Sequence, residues 1–378
     1  MKIVIAPDSF KESLSAAEIA RQIENGFKEV FPTAEYYLRP MADGGEGTVA
    51  ALVAATGGEV RHARVSGPLG AAVDAFYGVC GDGRTAVIEM AAASGLALLA
   101  PDLRNPLLTS SYGTGELIRR ALDDGLRNLI IGLGGSATND AGAGMLQALG
   151  ARFFTAGGEE LAPGGGALAG LEHIDIGELD PRLKECTIEV ACDVDNPLTG
   201  ARGASAVFGP QKGATPEMVA QLDKNLAHFA ERATRVLGRD TANYPGAGAA
   251  GGLGYALLAF LNADLRPGVG IVMDALRLKE LLAEADLVIT GEGRIDGQSL
   301  GGKVPIGVAR LAAEQGVPAV ALAGSLGAGS EAVYDHGIQA LFSVVSGPCT
   351  LADALANASE NVQRTARNVA TLLKLAQV

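Results

Sequence analysis

The chain has 378 residues with 43 acidic and 30 basic side chains, a formal net charge of −13, which argues against nucleic acid or an anionic membrane surface as a partner because phosphate-backbone affinity comes from clustered Lys and Arg. Hydrophobic residues make up 48% against 19% charged, and 52 glycines are spread without a repeating period, which excludes collagen-like and disordered classes. The length suits two domains. With no Trp and 4% aromatics, the core has to come from Ala, Leu, Val and Ile, as in many layered α/β proteins.

In chain order, Ile3-Val4-Ile5-Ala6 predicts a buried strand and Ser15-Ala16-Ala17-Glu18 a capping box that opens a helix. Between them Pro7-Asp8-Ser9-Phe10-Lys11 forms a polar loop at the carboxyl end of a strand, where open α/β sheets put ligands. The N-terminal stretch reads as a strand and not a secretion signal, and no apolar run approaches the ~20 residues that span a bilayer. A cytoplasmic protein is the expectation. A second acidic loop, Asp43-Gly44-Gly45-Glu46-Gly47, follows a strand ending near Met41.

Segments 59–67, 72–80 and 84–90 predict consecutive strands, with Gly81-Asp82-Gly83 as a turn between the last two, so this region should hold a mixed or antiparallel sheet. Leu129-Ile130-Ile131 predicts a strand that runs into Gly132-Leu133-Gly134-Gly135-Ser136-Ala137-Thr138. A helix start after such a turn would aim free N–H groups at a phosphate; the plainer alternative is a tight turn with Thr138 or Asn139 as cap. Gly132-x-Gly134-x-x-Ala137 also matches a dinucleotide fingerprint, without the acidic residue expected about 20 positions later. Further on, Asp193-Val194-Asp195-Asn196-Pro197 follows the apolar run Val190-Ala191-Cys192, and 245–252 reads as a tight loop entering a helix at 253–261.

The C-terminal third alternates again, with strands at 287–290, 318–322 and 340–344 and Thr350 capping the final long helix. After Thr290, the stretch from Gly291 to Val304 reads as a flexible loop with Arg294 and Lys303 as phosphate cations and Glu292 and Asp296 as metal ligands or base. Val304 stands where a P-loop needs a hydroxyl for Mg²⁺, so this is not a Walker A sequence. The fold expected is α/β: a discontinuous, doubly wound, flavodoxin-like parallel-sheet domain of residues 1–65 and 271–378, with a mixed-sheet α/β domain inserted at 66–270.

Histidines 62, 173, 228 and 336 lack metal-binding spacing, and cysteines 80, 186, 192 and 349 read as reduced, mostly buried thiols. Phosphoryl transfer suits what remains, since it needs positioning, cations, Mg²⁺ and a carboxylate base.

Read together, six motifs carry a family pattern: Ala6-Pro7-Asp8-Ser9-Phe10-Lys11-Glu12-Ser13, Ala42-Asp43-Gly44-Gly45-Glu46-Gly47-Thr48, Gly134-Gly135-Ser136-Ala137-Thr138, Cys192-Asp193-Val194-Asp195-Asn196-Pro197-Leu198, Phe208-Gly209-Pro210-Gln211-Lys212-Gly213 and Thr290-Gly291-Glu292-Gly293-Arg294-Ile295-Asp296. In order and wording they resemble the bacterial glycerate kinase family. The resemblance implies ATP-dependent, Mg²⁺-dependent phosphorylation of D-glycerate to 2-phosphoglycerate and a flavodoxin-like domain made from both termini.

On this reading glycerate binds in a cleft between domains, contacted by Asp8, Ser9 and Arg294, and Lys11 assists catalysis. Asp193 is the first candidate base and Asp296 the second. Gly134, Gly135, Ser136, Thr138, Gly291, Gly293 and Lys303 would bind nucleotide phosphates, and Asp195 would ligate Mg²⁺. The expected partners are glycerate and ATP, with homo-oligomerisation left open. Three alternatives stand beside it: transfer to the 3-hydroxyl, an NAD(P)-dependent hydroxy-acid oxidoreductase, and a non-catalytic organic-acid sensor.

Overall fold

The computed structural model describes residues 1–376. In chain order its strands are β1 (Lys2–Pro7), β2 (Glu35–Leu38), β3 (Glu59–Ser66), β4 (Ala72–Val79), β5 (Thr85–Glu89), β6 (Asn128–Gly132), β7 (Arg152–Thr155), β8 (Leu171–Asp175), β9 (Thr187–Ala191), β10 (Asp264–Arg266), β11 (Leu287–Ile295), β12 (Ala319–Leu326) and β13 (Ile338–Ser343). They fall into two compact units, one of Met1–Asp43, Ala50–Gly57 and Val269–Val378, the other of Gly44–Val49 and Gly58–Gly268.

The first unit is built on a five-stranded parallel sheet in the order β13-β12-β11-β1-β2. Counting only this unit's strands in sequence, the order is 2-1-3-4-5, the doubly wound arrangement of flavodoxin-like folds, whose ligand crevice lies where the first and third strands part. Here those are β1 and β11, paired from Ile3↔Leu287 to Pro7↔Gly291. The apolar runs explain the burial: Ile3, Val4, Ile5, Val288 and Ile289 are fully buried, as strands covered on both faces require. The helix Ala16–Lys28 opens with the expected capping box of Ser15 and Glu18 and buries Ile19, Ile23 and Phe27.

That helix lies against the C-terminal helix Ala358–Leu375, and Gly26 permits the close approach. A Cβ there would sit 2.3 Å from the Gln363 carbonyl oxygen. Helix propensity alone predicts that Gly26→Ala stabilises by about 1 kcal/mol; the crossing predicts the reverse, a loss of about 1–3 kcal/mol from overpacking, measurable as a lower urea midpoint. Thr350 caps a short helix, Leu351–Ala356, and not the long one, which begins after Asn357.

The second unit holds a six-stranded mixed sheet, β10-β9-β6-β5-β4-β3, and a separate β7-β8 hairpin. β3–β4 and β4–β5 are antiparallel, whereas β5, β6, β9 and β10 run parallel. The turn at 81–83 forms because Asp82 accepts the Arg84 and Thr85 N–H groups at 2.9 and 3.0 Å, the Asx chemistry that Asp supplies in turns. The core is mostly aliphatic, with Phe153, Phe229 and Tyr255 as its buried aromatic centre.

Candidate active site

The parallel-sheet unit gathers most of the candidates at the carboxyl ends of β1 and β11. After β1, the Asp8 N–H donates to the Gly291 carbonyl at 2.8 Å, and the Asp8 carboxylate accepts the Ser9 N–H at 2.7 Å. The chain then turns sharply, with the Phe10 N–H donating to Leu14 O at 2.9 Å and Glu12 at a φ of 64°, a left-handed conformation that costs a non-glycine residue about 1–2 kcal/mol. This turn presents Lys11 to solvent. Burial pushes the Asp8 carboxyl up to about 7, helped by the negative charges of Asp43 and Glu292 and opposed by the Ser9 N–H and Lys11. A carboxyl poised near neutrality beside other charged groups is what a general base requires.

The stretch after Thr290 is not a loop. β11 continues to Ile295, pairing Glu292 with Ala323 and Arg294 with Ser325 on β12. Two glycines are there for the pairing: a Cβ on Gly291 would meet Leu322 O at 2.1 Å, and one on Gly324 would meet Gly293 O at 2.5 Å, whereas one on Gly293 would sit 3.3 Å from the Phe10 Cα. Gly291 is therefore a buried close-packing residue of the strand, and Gly293 is half-buried. Glu292 is buried, accepts a short hydrogen bond from the Ser299 hydroxyl and pairs with Lys303 at 3.3 Å. Burial raises its pKa while Ser299 and Lys303 oppose the rise.

Asp296 is differently employed. One oxygen accepts the Gln298 N–H at 2.9 Å and caps the 3₁₀ turn Gly297–Gly301, and the other accepts Arg294 Nε at 3.0 Å. The Gln298 hydrogen bond is the main reason its pKa falls. A carboxylate so stabilised is a poor proton acceptor, which weakens its expected role as second base.

In the mixed-sheet unit the expected phosphate loop takes another form. Gly134 and Gly135 are exposed, but Ser136 is nearly buried and Thr138 fully so. The helix that should follow begins only at Ala143 and spans six residues. Its N-terminal amides are already occupied: the buried Asp140 carboxylate accepts the Gly142 and Gly144 N–H groups at 3.2 Å each, with the Ser111 N–H and hydroxyl at 2.8 Å each. The dipole that would serve a phosphate thus serves Asp140, and the late helix leaves the dinucleotide fingerprint without its structural context.

Beside it, Lys212 is 1% exposed, and its Nζ donates to the Thr138 carbonyl at 2.6 Å. Burial lowers its pKa to about 7, with Asp140 opposing. Burial likewise raises that of Asp140, against the hydrogen bonds it accepts. Thr138 Oγ1 and Asn139 Nδ2 in the same cluster are buried without a hydrogen-bond partner. Sequence reasoning assigned no role to Asp140 or Lys212; for Lys212 the one signal was its place in the motif Phe208–Gly213.

Asp193 lies exposed just beyond β9, with one oxygen accepting the Gly268 N–H at 3.0 Å. Asp195 is also exposed, and both its oxygens accept Arg202 Nη2 at 2.9 Å. Both belong to the mixed-sheet unit, whereas Asp8, Ser9, Lys11, Arg294, Asp296 and Lys303 belong to the parallel-sheet unit. Of the thiols, Cys80 is buried, Cys186 and Cys192 are half-buried, and Cys349 is exposed, so the expectation of mostly buried thiols holds fully for Cys80 alone. Among the described residues no group of three His, Cys, Asp or Glu side chains converges as a metal site, and no helix is long and apolar enough to cross a membrane.

Comparison with known proteins bears on the whole chain. The glycerate kinase family model matches residues 3–374. The glycerate kinase of Bacillus subtilis is 59% identical over 377 residues, covering 100% of this chain and 99% of that protein. The glycerate 2-kinase of Escherichia coli is 57% identical over 375 residues, covering 99% and 98%. A crystal structure from Salmonella typhimurium LT2, of a protein assigned as glycerate kinase 2, superposes with a TM-score of 0.93 at 60% identity, covering 100% of this chain and 99% of that one. The chain belongs to the glycerate kinase family and is a kinase.

Proposed function

We propose that the protein transfers the γ-phosphoryl group of ATP to the 2-hydroxyl of D-glycerate, with Asp8 as the general base. The observation that carries this reading is the Asp8 carboxyl itself, near pH 7 in basicity at the β1/β11 switch point, with Lys11 acting on it. The 57% identity to a protein named glycerate 2-kinase supports the 2-hydroxyl as acceptor.

In this scheme Arg294, 67% exposed, pairs with the glycerate carboxylate, and the Ser9 side chain contacts the substrate. Lys11 and Lys303 neutralise phosphate oxygens. Asp8 takes the proton of the 2-hydroxyl as its oxygen bonds to the γ-phosphorus, the bond to the β,γ-bridging oxygen breaks, and ADP leaves. Such transfer needs positioning and charge neutralisation more than covalent chemistry. Asp193, the sequence-based choice of base, is exposed, and the half-buried Asp8 is preferred because burial is what raises basicity at pH 7.

Mg²⁺ keeps several waters and is bound through one or two carboxylates plus substrate phosphates. Asp195 and Asp193 supply oxygen donors of the right kind. The Asp195–Arg202 pair is 73% and 68% exposed, and exposed pairs of this sort are worth about 0–1 kcal/mol, so the carboxylate is easily released. When bound, the ion offsets charge on the phosphate oxygens.

The test is ADP release by purified protein. It is expected to require both D-glycerate and Mg²⁺, and excess EDTA should abolish it reversibly. Glycerate-dependent reduction of NAD(P)⁺ without ADP formation would overturn the proposal in favour of an oxidoreductase.

A further inference from the structure

At the carboxyl edge of the five-stranded sheet, on the β12 and β13 side, the surface opens into a cavity of about 700 Å³. It lies wholly within the parallel-sheet unit. Gly293 on β11 and Gly324 on β12 line it with bare backbone, and Phe10, Val344, Leu326 and Leu355 supply apolar wall. Hydroxyls of Ser325, Ser343, Ser346 and Thr350 border it, and the rim is tied by the Ser13 hydroxyl, which donates to Leu355 O at 3.3 Å. Lys11 is the single charged side chain in the lining.

Glycerate, with seven non-hydrogen atoms, would fill a small part of this volume, and an organic acid has little use for apolar walls. Size and lining match a larger ligand with a flat apolar body and a few hydrogen-bonding edges. The position of Lys11 gives the ligand a direction, since it borders the cavity and also acts electrostatically on the Asp8 carboxyl. A molecule seated here with an anionic end at Lys11 points that end toward Asp8.

We infer that this cavity holds the adenine nucleoside of ATP, with the phosphate chain leaving past Lys11. The inference rests on the proposed ATP-dependent reaction and adds where the nucleotide sits.

The exposed Cys349 lines the cavity and provides a native probe. Alkylation by iodoacetamide, followed peptide by peptide in a mass spectrometer, is expected to slow at Cys349 by at least about tenfold, equivalent to ~1.4 kcal/mol, when AMP-PNP and Mg²⁺ are present. Glycerate alone should not slow it, and Cys186 should label at the same rate throughout. Filling the cavity by Ala354→Trp should raise KM for ATP by a similar factor and leave KM for glycerate within about twofold. Unprotected Cys349 at nucleotide concentrations that saturate ADP formation by the same preparation would overturn the cavity assignment and leave the kinase reading standing. Protection of Cys349 with an unchanged KM for ATP in Ala354→Trp would overturn it too. Absence of ADP formation would instead remove the kinase reading.

Discussion

Asp8→Asn is expected to lower kcat by about 10²–10⁴, the usual contribution of a positioned general base, with a folded protein and little change in KM. The amide keeps an oxygen able to accept the Ser9 N–H that the carboxylate accepts now at 2.7 Å, so the local turn should survive. For the wild type, kcat/KM should rise with pH and level off above about 7, where Asp8 is ionised. The variant should lose that rise.

Stability supplies an independent check of the same group. The folded-state pKa of Asp8 is raised from 3.8 to about 7, so the contribution of this group to stability is fully present below pH 4 and lost as pH climbs through 7. Asp8→Asn should therefore melt at a higher temperature than the wild type at pH 8, and the gap should close toward pH 4. Near-normal turnover in Asp8→Asn, with a large loss in Asp193→Asn, would return the base to the sequence-based choice.

Asp140→Ala is expected to be the most damaging single substitution in the mixed-sheet unit. It removes the acceptor of three backbone N–H groups and one hydroxyl at a position that is 1% exposed, and it leaves Lys212 buried beside the gap. Breaking a buried charged network in this way costs about 3–5 kcal/mol, or about 10 °C in melting temperature for a unit of this size. Asp140→Asn keeps part of the network and should lose less. Calorimetry of the two variants decides the point; equal, small shifts would show that the network contributes little.

Legible in the sequence were the α/β class, with a doubly wound parallel sheet drawn from both termini and a separate mixed sheet, and several local features. The strand Ile3–Ala6, the Ser15–Glu18 capping box and the Asp82 turn each depend on neighbours within a few residues, and the structure has all three. β11 was cut short for a physical reason. Gly291 and Gly293 look like loop residues by composition, yet Gly291 is demanded by a distant partner strand, where Leu322 O leaves no room for a Cβ, and Gly293 lies close against the Phe10 backbone. The switch point between β1 and β11 is a fact of sheet order, which spacing alone does not contain.

The site follows the same division. Asp8, Lys11 and Arg294, on which the proposed mechanism rests, could be picked out as candidates because they are charged groups placed after buried strands. Whether Asp296 is a base or a cap, and whether Asp140 already holds the helix amides, depends on partners that only the folded chain supplies. Lys212 carried no sequence signal of burial at all, being a polar residue after Gly-Pro-Gln that tertiary packing encloses.

The central claim, phosphoryl transfer from ATP to the 2-hydroxyl of glycerate, is tested most directly by phosphorus NMR of the product formed from ATP, Mg²⁺ and D-glycerate. The prediction is ADP and a phosphomonoester signal split into a doublet by the single proton on carbon 2. A triplet from the two protons on carbon 3, or an unchanged ATP spectrum, would contradict it.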